Sequence, residues 1–327
     1  MENQSAERQN MKDKITIRKI AEELSLSPAT VYRALSGYCN VRVETRRKVL
    51  RAAQGKGYML PEHKKRNIAV LVQYFRFSGY PENLLRSLEQ EFHSRGFRLE
   101  MISHQDIDLL GDYMFDGIVS LIWEKGMEKI LPQKFSVPII TVNAPSNMLE
   151  SVPVIISDPH GIREALDYLR DRGCRKVFFI SPPAEVSPTD AGARIEEFRK
   201  FCMETRQDFE SLYFGTLTPG KAIPRILEQK PDACFCASEE FAARLGLELK
   251  KAGLRIPEDI SLMGLETYLL NECFTPPITA IRQDFEQIAA IAAESMYQAI
   301  VNGIPPTCAT VPFQLIERES VRQPGKG

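Results

Sequence analysis

The first regular pattern along the chain is a stripe of apolar residues in TIRKIAEEL. The apolar residues recur at spacings of i, i+3, i+4 and i+7, which predict one amphipathic helix. They are Ile17, Ile20, Ala21 and Leu24. Thr16 precedes the stripe and is suited to cap the first turn of this helix.

A tight turn and two more helices are predicted next. Ser27 is a good N-cap and Pro28 a good first helical residue, so a second helix is expected over PATVYRAL. Val31 and Leu35 face inward in it, and Gly37 ends it. A third helix is predicted in VETRRKVLRAAQGKGY. Its inward stripe is Val49, Ala52 and Ala53. This arrangement of three helices is typical of a helix-turn-helix.

A helix-turn-helix lays its second helix in the major groove of DNA, with the N-terminal residues at base edges. The outward residues of that helix are Pro28, Ala29, Thr30, Tyr32, Arg33 and Ser36. Arg33 is suited to a bidentate contact with guanine. Phosphate contacts fix register without reading sequence, and they are expected from Thr16, Ser27, Thr30, Thr45 and Arg46. A three-helix bundle that binds a protein stays open as the alternative.

From residue 68 onward, short apolar runs alternate with amphipathic helices. The strand-like runs are 68–72, 115–122, 137–143, 152–158, 176–182, 232–238, 259–265 and 278–284. Continuous apolar strands separated by helices predict an α/β fold with doubly wound parallel sheets. A segment of about 260 residues suits two lobes better than one sheet. Ligands of such folds bind beyond the carboxyl ends of the strands, here in the cleft between the lobes.

The net charge of −1 hides a difference between the two parts of the chain. Residues 1–66 contain 15 Lys and Arg against 7 Asp and Glu, which leaves 27 basic and 36 acidic residues in the remainder. A small basic head on an acidic body is typical of a nucleic-acid reader carried by a larger domain. A solvated face without any partner would give the same counts.

The cysteines and the N-terminus indicate a reducing, cytoplasmic setting. The seven cysteines show no paired C-x-x-C spacing, and Cys234 and Cys236 are expected to be core residues of a strand rather than metal ligands. Thiols without a disulfide pattern fit a reducing compartment. The polar N-terminus has no apolar segment of a signal peptide, and no run is long enough to span a bilayer. No cofactor or metal is expected.

The head resembles the DNA-binding domain of the lactose-repressor (LacI/GalR) family. The shared features are S-x-A-T-V-x-R-x-L, E-T-R-x-K-V and a closing G-Y, at the family's spacing. The resemblance implies that Pro28, Ala29 and Arg33 lie where the family's base-contacting residues lie. Ser25 stands where the family often has Gly, and Tyr32 replaces a small Ser that usually approaches the DNA backbone.

The linker MLPEHKKRN is about half as long as the family's usual linker. It lacks the A-R-x-L segment whose leucine wedges into the minor groove, and such a wedge needs an apolar residue at its tip. Minor-groove insertion is therefore not expected here. Lys64, Lys65 and Arg66 are suited to phosphate contacts, and a merely solvated linker stays open as the alternative.

The large domain continues the resemblance, so that it spans nearly the whole chain. FDGIV, VPIITVN and, above all, LKKAGLRIPEDISLMGLE followed by PPITAIRQD are similar to the family's periplasmic-binding-protein-like core. The resemblance implies that the chain crosses between two lobes near Ser157–Asp158, near Gln283–Asp284 and close to Thr310–Phe313.

The same resemblance implies an effector site in the cleft. Arg194 matches the arginine of the family's R-x-x-G-F motif, and Glu266 matches the first aspartate of its G-[FY]-D-D motif. Ser238-Glu239 stands where the family usually has Asn-Asp, and Tyr80 falls near its N-P-F-F aromatic. Each also fits a plain structural role on the surface, in a turn or against its own helix. Glu for Asp and Ser for Asn move hydrogen-bond partners, so the effector need not be one of the family's usual sugars.

The expected organisation is a tail over 1–14, a helix-turn-helix domain over 15–60, a short linker over 61–67 and an effector and dimerisation domain over 68–327. Lobe 1 is expected over about 68–157 and 285–310, and lobe 2 over about 158–283 and 312–324. The predicted function is that of a sequence-specific DNA-binding transcription regulator, a repressor whose DNA affinity is controlled by a small molecule in the inter-lobe cleft, a sugar or a related metabolite. A palindromic operator would be bound by a homodimer, because one head reads few base pairs.

Three alternatives differ from this prediction in class. An enzyme is disfavoured because no G-x-S-x-G, P-loop, H-E-x-x-H or G-x-G-x-x-G motif is present and the four histidines are scattered. A pure solute-binding protein would not need the basic head. A helix-turn-helix regulator that responds to a protein partner, or to nothing, is the strongest alternative.

Overall fold

The computed structural model describes residues 15–36, 41–56, 58, 66–72, 80–111, 115–121, 137–143, 152–183, 191–238, 240–266 and 270–323. The predicted tail over 1–14, the helix-ending Gly37 and linker residues 61–65 lie outside these ranges. The head contains three helices: α1 (Ile17–Glu23), α2 (Pro28–Leu35) and α3 (Val43–Gln54).

The three head helices enclose one small apolar core. Ile20 of α1, Val31 of α2 and Val49 of α3 are fully buried in it. Leu50 is buried as well, whereas Ala52 is half-buried at its edge. The apolar spacings therefore predicted the helices and their inward faces correctly, and the head is the all-α unit expected from the sequence.

Lobe 1 is built on a six-stranded sheet in the order β11-β5-β4-β3-β1-β2, and all its strands are parallel. The strands are β1 (Arg66–Val72), β2 (Phe97–Ser103), β3 (Gly117–Ser120), β4 (Ile139–Val142), β5 (Val154–Ser157) and β11 (Ala309–Val311). Its helices are α4 (Tyr80–Ser94) and α11 (Phe285–Asn302), with a 3-10 helix over His104–Gly111.

Lobe 2 is built on a second six-stranded sheet in the order β12-β10-β9-β8-β6-β7. The strands are β6 (Val177–Ser181), β7 (Tyr213–Gly215), β8 (Ala233–Cys236), β9 (Ser261–Leu265), β10 (Thr279–Gln283) and β12 (Phe313–Ile316). The helices are α5 (His160–Asp171), α6 (Ala191–Glu204), α7 (Phe209–Leu212), α8 (Ile223–Gln229), α9 (Phe241–Lys251) and α10 (Leu270–Cys273), with a 3-10 helix over Pro219–Ala222. Only β12 pairs antiparallel among the described strands of this sheet.

Both faces of the first sheet are covered, as the continuous apolar strands predicted. Ile68 of β1 packs in one cluster with α4 and α11. Its neighbours Ala69 and Leu71 pack in a second cluster on the other face. Because successive side chains of a strand point to opposite faces, a strand buried on both sides must be apolar throughout. This confirms the doubly wound architecture.

The second lobe has one continuous core that includes both cysteines of DACFCAS. Cys234 and Cys236 lie on β8 and are fully buried, as expected for core residues. Burial raises the pKa of the Cys234 thiol, so it stays protonated. Within the described part of the chain, no helix combines the length and the apolar character needed to cross a membrane.

Candidate functional site

The start of α2 is fixed by its own sequence. The backbone N–H of Thr30 donates to Ser27 Oγ at 3.1 Å, and the hydroxyls of Ser27 and Thr30 lie 2.8 Å apart. Pro28 occupies the first turn, where its missing N–H leaves no donor unpaired. Thr16 caps α1 in the same way, because its hydroxyl accepts from Lys19 N at 3.3 Å. Helix α2 therefore begins at the position that the sequence predicted.

The predicted DNA-contacting residues of α2 lie mainly on its solvent side. Pro28, Ala29, Tyr32 and Arg33 are exposed, whereas Thr30 and Ser36 are half-buried. Outside α2, Thr16 is exposed, and Thr45 and Arg46 are half-buried on α3. The opposite side of α2 carries the buried residues, which are Val31, Ala34 and Leu35. The helix thus presents one face to the head core and the other to solvent.

A second group of predicted residues meets at the carboxyl edge of the second sheet. β8 pairs in parallel with β9 so that Cys236 is opposite Gly264. Ser238 and Glu266 each follow two residues later, so they leave the sheet side by side. Arg194 of α6 is 8% exposed and reaches the same edge, where its Nη1 donates to the carbonyl oxygen of Ala237 at 3.3 Å.

Glu266 has a partner that the sequence did not indicate. Arg318, two residues beyond β12, donates from Nη1 to Oε2 and from Nη2 to Oε1 of Glu266, both at 2.7 Å. The Glu266 side chain is 11% exposed and the Arg318 side chain is 14% exposed. Arg318 Nη1 also donates to the carbonyl of Ile278 at 2.8 Å. These hydrogen bonds to the Glu266 carboxylate raise the pKa of the Arg318 guanidinium.

Two predicted effector residues are not placed in this group. Glu239 lies outside the described residues. Tyr80 is the first residue of α4, in lobe 1, and its side chain is likewise outside the described part. Their assignment to an effector site stays a prediction, as does that of Arg194, Ser238 and Glu266.

The segments that run between the two sheets are joined by buried side chains. Gln283 Oε1 accepts from Asn143 Nδ2 at 2.8 Å and from Ser157 Oγ at 3.0 Å. Beyond them, Gln314 Nε2 donates to Asp284 Oδ2 at 2.7 Å. Ends of strands from both sheets are therefore held together by hydrogen bonds whose loss would leave buried polar groups unpaired.

Sequence reasoning missed the pairing of Arg318 and the hydrogen bonds that join Asn143, Ser157 and Gln283 for the same reason. Each depends on residues far apart in the chain, such as Asn143 and Gln283, and no local spacing connects them. The nearest available signal was polarity at the ends of otherwise apolar strands. Among the described residues, no group of three or more His, Cys, Asp and Glu side chains is arranged to hold a metal ion.

Comparison with known proteins gives matches over most of the chain. Residues 166–321 match the family described as a periplasmic binding protein-like domain. Catabolite control protein A of Priestia megaterium is 25% identical over 304 residues, which cover 85% of this chain and 90% of the relative. The HTH-type transcriptional repressor CytR of Escherichia coli strain K12 is 25% identical over 289 residues, which cover 82% of this chain and 84% of that protein.

Solved structures share the fold. The complex of the transcriptional regulator CelR with cellobiose has a TM-score of 0.68 and 23% identity, over 94% of this chain and 99% of that chain. The lac repressor dimer bound to operator and the anti-inducer ONPF also has a TM-score of 0.68, with 18% identity over 94% of this chain and 99% of that chain. Sequence and fold agree, and over nearly its whole length this chain resembles the LacI family of transcription regulators.

Proposed function

We propose that this chain is a sequence-specific, DNA-binding transcription regulator, a repressor that acts as a homodimer in the cytoplasm and catalyses no reaction. The observation that carries the proposal is the capped recognition helix α2, which turns Arg33 to solvent from a folded three-helix head. The likeness to repressors such as CytR supports it.

The chemistry of the head suits DNA. Arg33 has the planar fork that matches the two acceptors of guanine in the major groove. Thr16, Thr45 and Arg46 lie on α1 and α3, or at their ends, where they are suited to hold phosphates on either side of the groove. Two heads related by a two-fold axis would read a palindrome, which gives the selectivity that one head lacks.

Effector control is assigned to the carboxyl edge of the second sheet. Arg194 donates to the carbonyl of Ala237 there, next to Ser238, and open α/β folds bind their ligands at this edge. The solved CelR structure contains cellobiose, which supports a small polar metabolite such as a sugar for this chain. A ligand controls DNA binding only if it binds one arrangement of the lobes more tightly than the other.

The test is selection of the purified full-length protein on random DNA duplexes at near-physiological salt, followed by sequencing. We expect enrichment of a short palindrome with a defined half-site. The affinity for the selected sequence should fall with salt, but its advantage over an unrelated duplex should persist, because base contacts do not depend on released counterions. Weak, unselective binding throughout would overturn the proposal.

A second candidate is a regulator of the same kind that responds to no small molecule. The bidentate pair between Glu266 and Arg318 favours it, because both carboxylate oxygens are already engaged. The two candidates differ in a thermal-shift screen of sugars and nucleosides at millimolar concentration. A bound effector raises the melting temperature, and at a hundred times its Kd it adds about 2.7 kcal/mol. If the protein binds its operator and no compound in the screen shifts its melting temperature, the second candidate is favoured.

A further inference from the structure

Part of the solvent face of helix α2 is apolar. At 100° per residue, Ala29, Tyr32, Arg33 and Ser36 lie opposite the buried Val31, Ala34 and Leu35. Tyr32 is 50% exposed, and among the described residues of the head no other large hydrophobic side chain is exposed. Ala29 lies one turn before both Tyr32 and Arg33. The end of the helix that would meet base edges is therefore a small apolar surface beside one guanidinium.

The polar groups at the start of α2 are used within the head. Ser27 Oγ accepts from Thr30 N, and its hydroxyl pairs with the Thr30 hydroxyl. Pro28 has no backbone N–H, and the side chains of Pro28 and Ala29 carry no hydrogen-bonding group. In the first turn, the exposed side chains therefore offer DNA an apolar contact rather than a hydrogen bond.

In the major groove, the apolar group that a base presents is the 5-methyl of thymine. We propose that Ala29 and Tyr32 bind a thymine methyl group, next to the guanine that Arg33 contacts. This inference rests on the proposed function and adds a specificity-determining pair to it. The ring of Tyr32 covers the methyl group. Its hydroxyl stays in the polar surroundings of the groove, because a Tyr side chain is apolar along the ring and polar at its end.

DNA is favoured over a protein as the occupant because the surroundings of this apolar surface are basic. Arg33 adjoins it on the same helix, and residues 1–66 carry 15 basic against 7 acidic residues. In α3, Arg46, Arg47 and Lys48 are consecutive. An apolar contact of this size contributes selectivity, whereas the basic groups supply most of the affinity.

The test removes single methyl groups from the DNA. Starting from the selected palindrome, each thymine of a half-site is replaced in turn by deoxyuridine, and the Kd of the full-length protein is measured at one salt concentration. We expect one position, adjacent to a conserved guanine, at which the Kd rises about fourfold per half-site, the value for one buried methyl group. Deoxyuridine outside the half-sites is the matched control and should have no effect.

A double-mutant cycle assigns that effect to the helix. Tyr32→Ala and Ala29→Gly should each lower the penalty for deoxyuridine at the sensitive position, because the contact is already lost. An unchanged penalty in both variants would overturn the assignment. The proposal would also fail if the protein selects a palindrome but binds every uracil-substituted duplex as tightly as the unsubstituted one. If no palindrome is selected at all, the proposed function itself fails, which is a different outcome. Capture of a protein by this face, abolished by Tyr32→Ala in the absence of DNA, would also overturn the proposal.

Discussion

Arg33 and Arg318 carry the same functional group in opposite surroundings. Arg33 is exposed on α2, a position that local sequence alone predicted, and its contact with DNA stays a prediction. Arg318 is largely buried, and it holds Glu266 through two hydrogen bonds from a segment more than 50 residues away in the chain. An exposed candidate contact can be predicted from a local motif, whereas a buried contact depends on which distant residue packs against it.

The energetic consequences also differ. An exposed guanidinium keeps its hydration until a partner arrives, so its removal costs the folded chain little. A buried pair has lost its water, and removal of one member leaves the other charge uncompensated. Replacement of Arg33 should therefore lower the affinity for DNA and hardly change the free energy of unfolding. Replacement of Arg318 should lower the free energy of unfolding. Four variants test this contrast.

The largest effect is expected for Arg318→Leu. It leaves the Glu266 carboxylate without its two donors, so the free energy of unfolding should fall by about 3–5 kcal/mol. Urea denaturation of the full chain, followed by circular dichroism and by fluorescence of Trp123, measures the loss. Arg255→Leu is the matched control, because Arg255 also forms a bidentate pair, with Asp259, but is exposed. Equal, small losses in both variants would contradict the importance of burial.

The double variant Glu266→Leu with Arg318→Leu sharpens this test. Apolar residues of similar volume can replace a buried ion pair without loss, so the double variant should regain much of the stability that the single variant loses. If Glu266 has only a structural role, the double variant keeps its response to any effector found in the screen. Loss of that response in a stable double variant would assign Glu266 to effector binding as well.

An intermediate effect is expected for Arg33→Ala. The loss of a bidentate guanine contact should cost about 1–3 kcal/mol of binding free energy in each half-site and relax selection at that base pair. The urea midpoint should not change. Thr45→Ala is the matched control, because a lost phosphate contact weakens binding to all sequences alike. A fully selective Arg33→Ala protein would show that α2 is not the recognition helix.

The parts of the fold that the sequence predicted are those fixed by local periodicity. The three head helices and the apolar strands such as β1, β8 and β9 follow from it. β2 was not predicted, because this edge strand mixes buried Phe97 and Ile102 with charged and exposed residues. The short edge strands β7, β11 and β12 were missed as well. β12, which follows the crossing from the first sheet, pairs antiparallel with β10.

In the candidate site, too, the local features could be predicted from the sequence and the long-range contacts could not. The caps at Thr16 and Ser27 and the exposed face of α2 depend on neighbours within four residues, so they could be read from the sequence. The pairing of Glu266 with Arg318 joins the end of β9 to the C-terminal segment. No spacing rule contains that information, because tertiary folding decides which side chains meet.

The smallest effect is expected at the cap of α2, a local hydrogen bond near the exposed Arg33 and within the head alone. Ser27→Ala removes the acceptor for Thr30 N and should destabilise the start of the helix by about 1 kcal/mol. Because the loss is confined to the head, hydrogen exchange of the α2 amides should quicken about fivefold, while exchange in β8 and β9 stays unchanged. Ser27→Asp, which restores an acceptor, should reverse the effect. Faster exchange in the sheets would mean that the head and the large domain unfold as one unit, and the effects of Arg33 and Arg318 on binding and on stability would then not be separable.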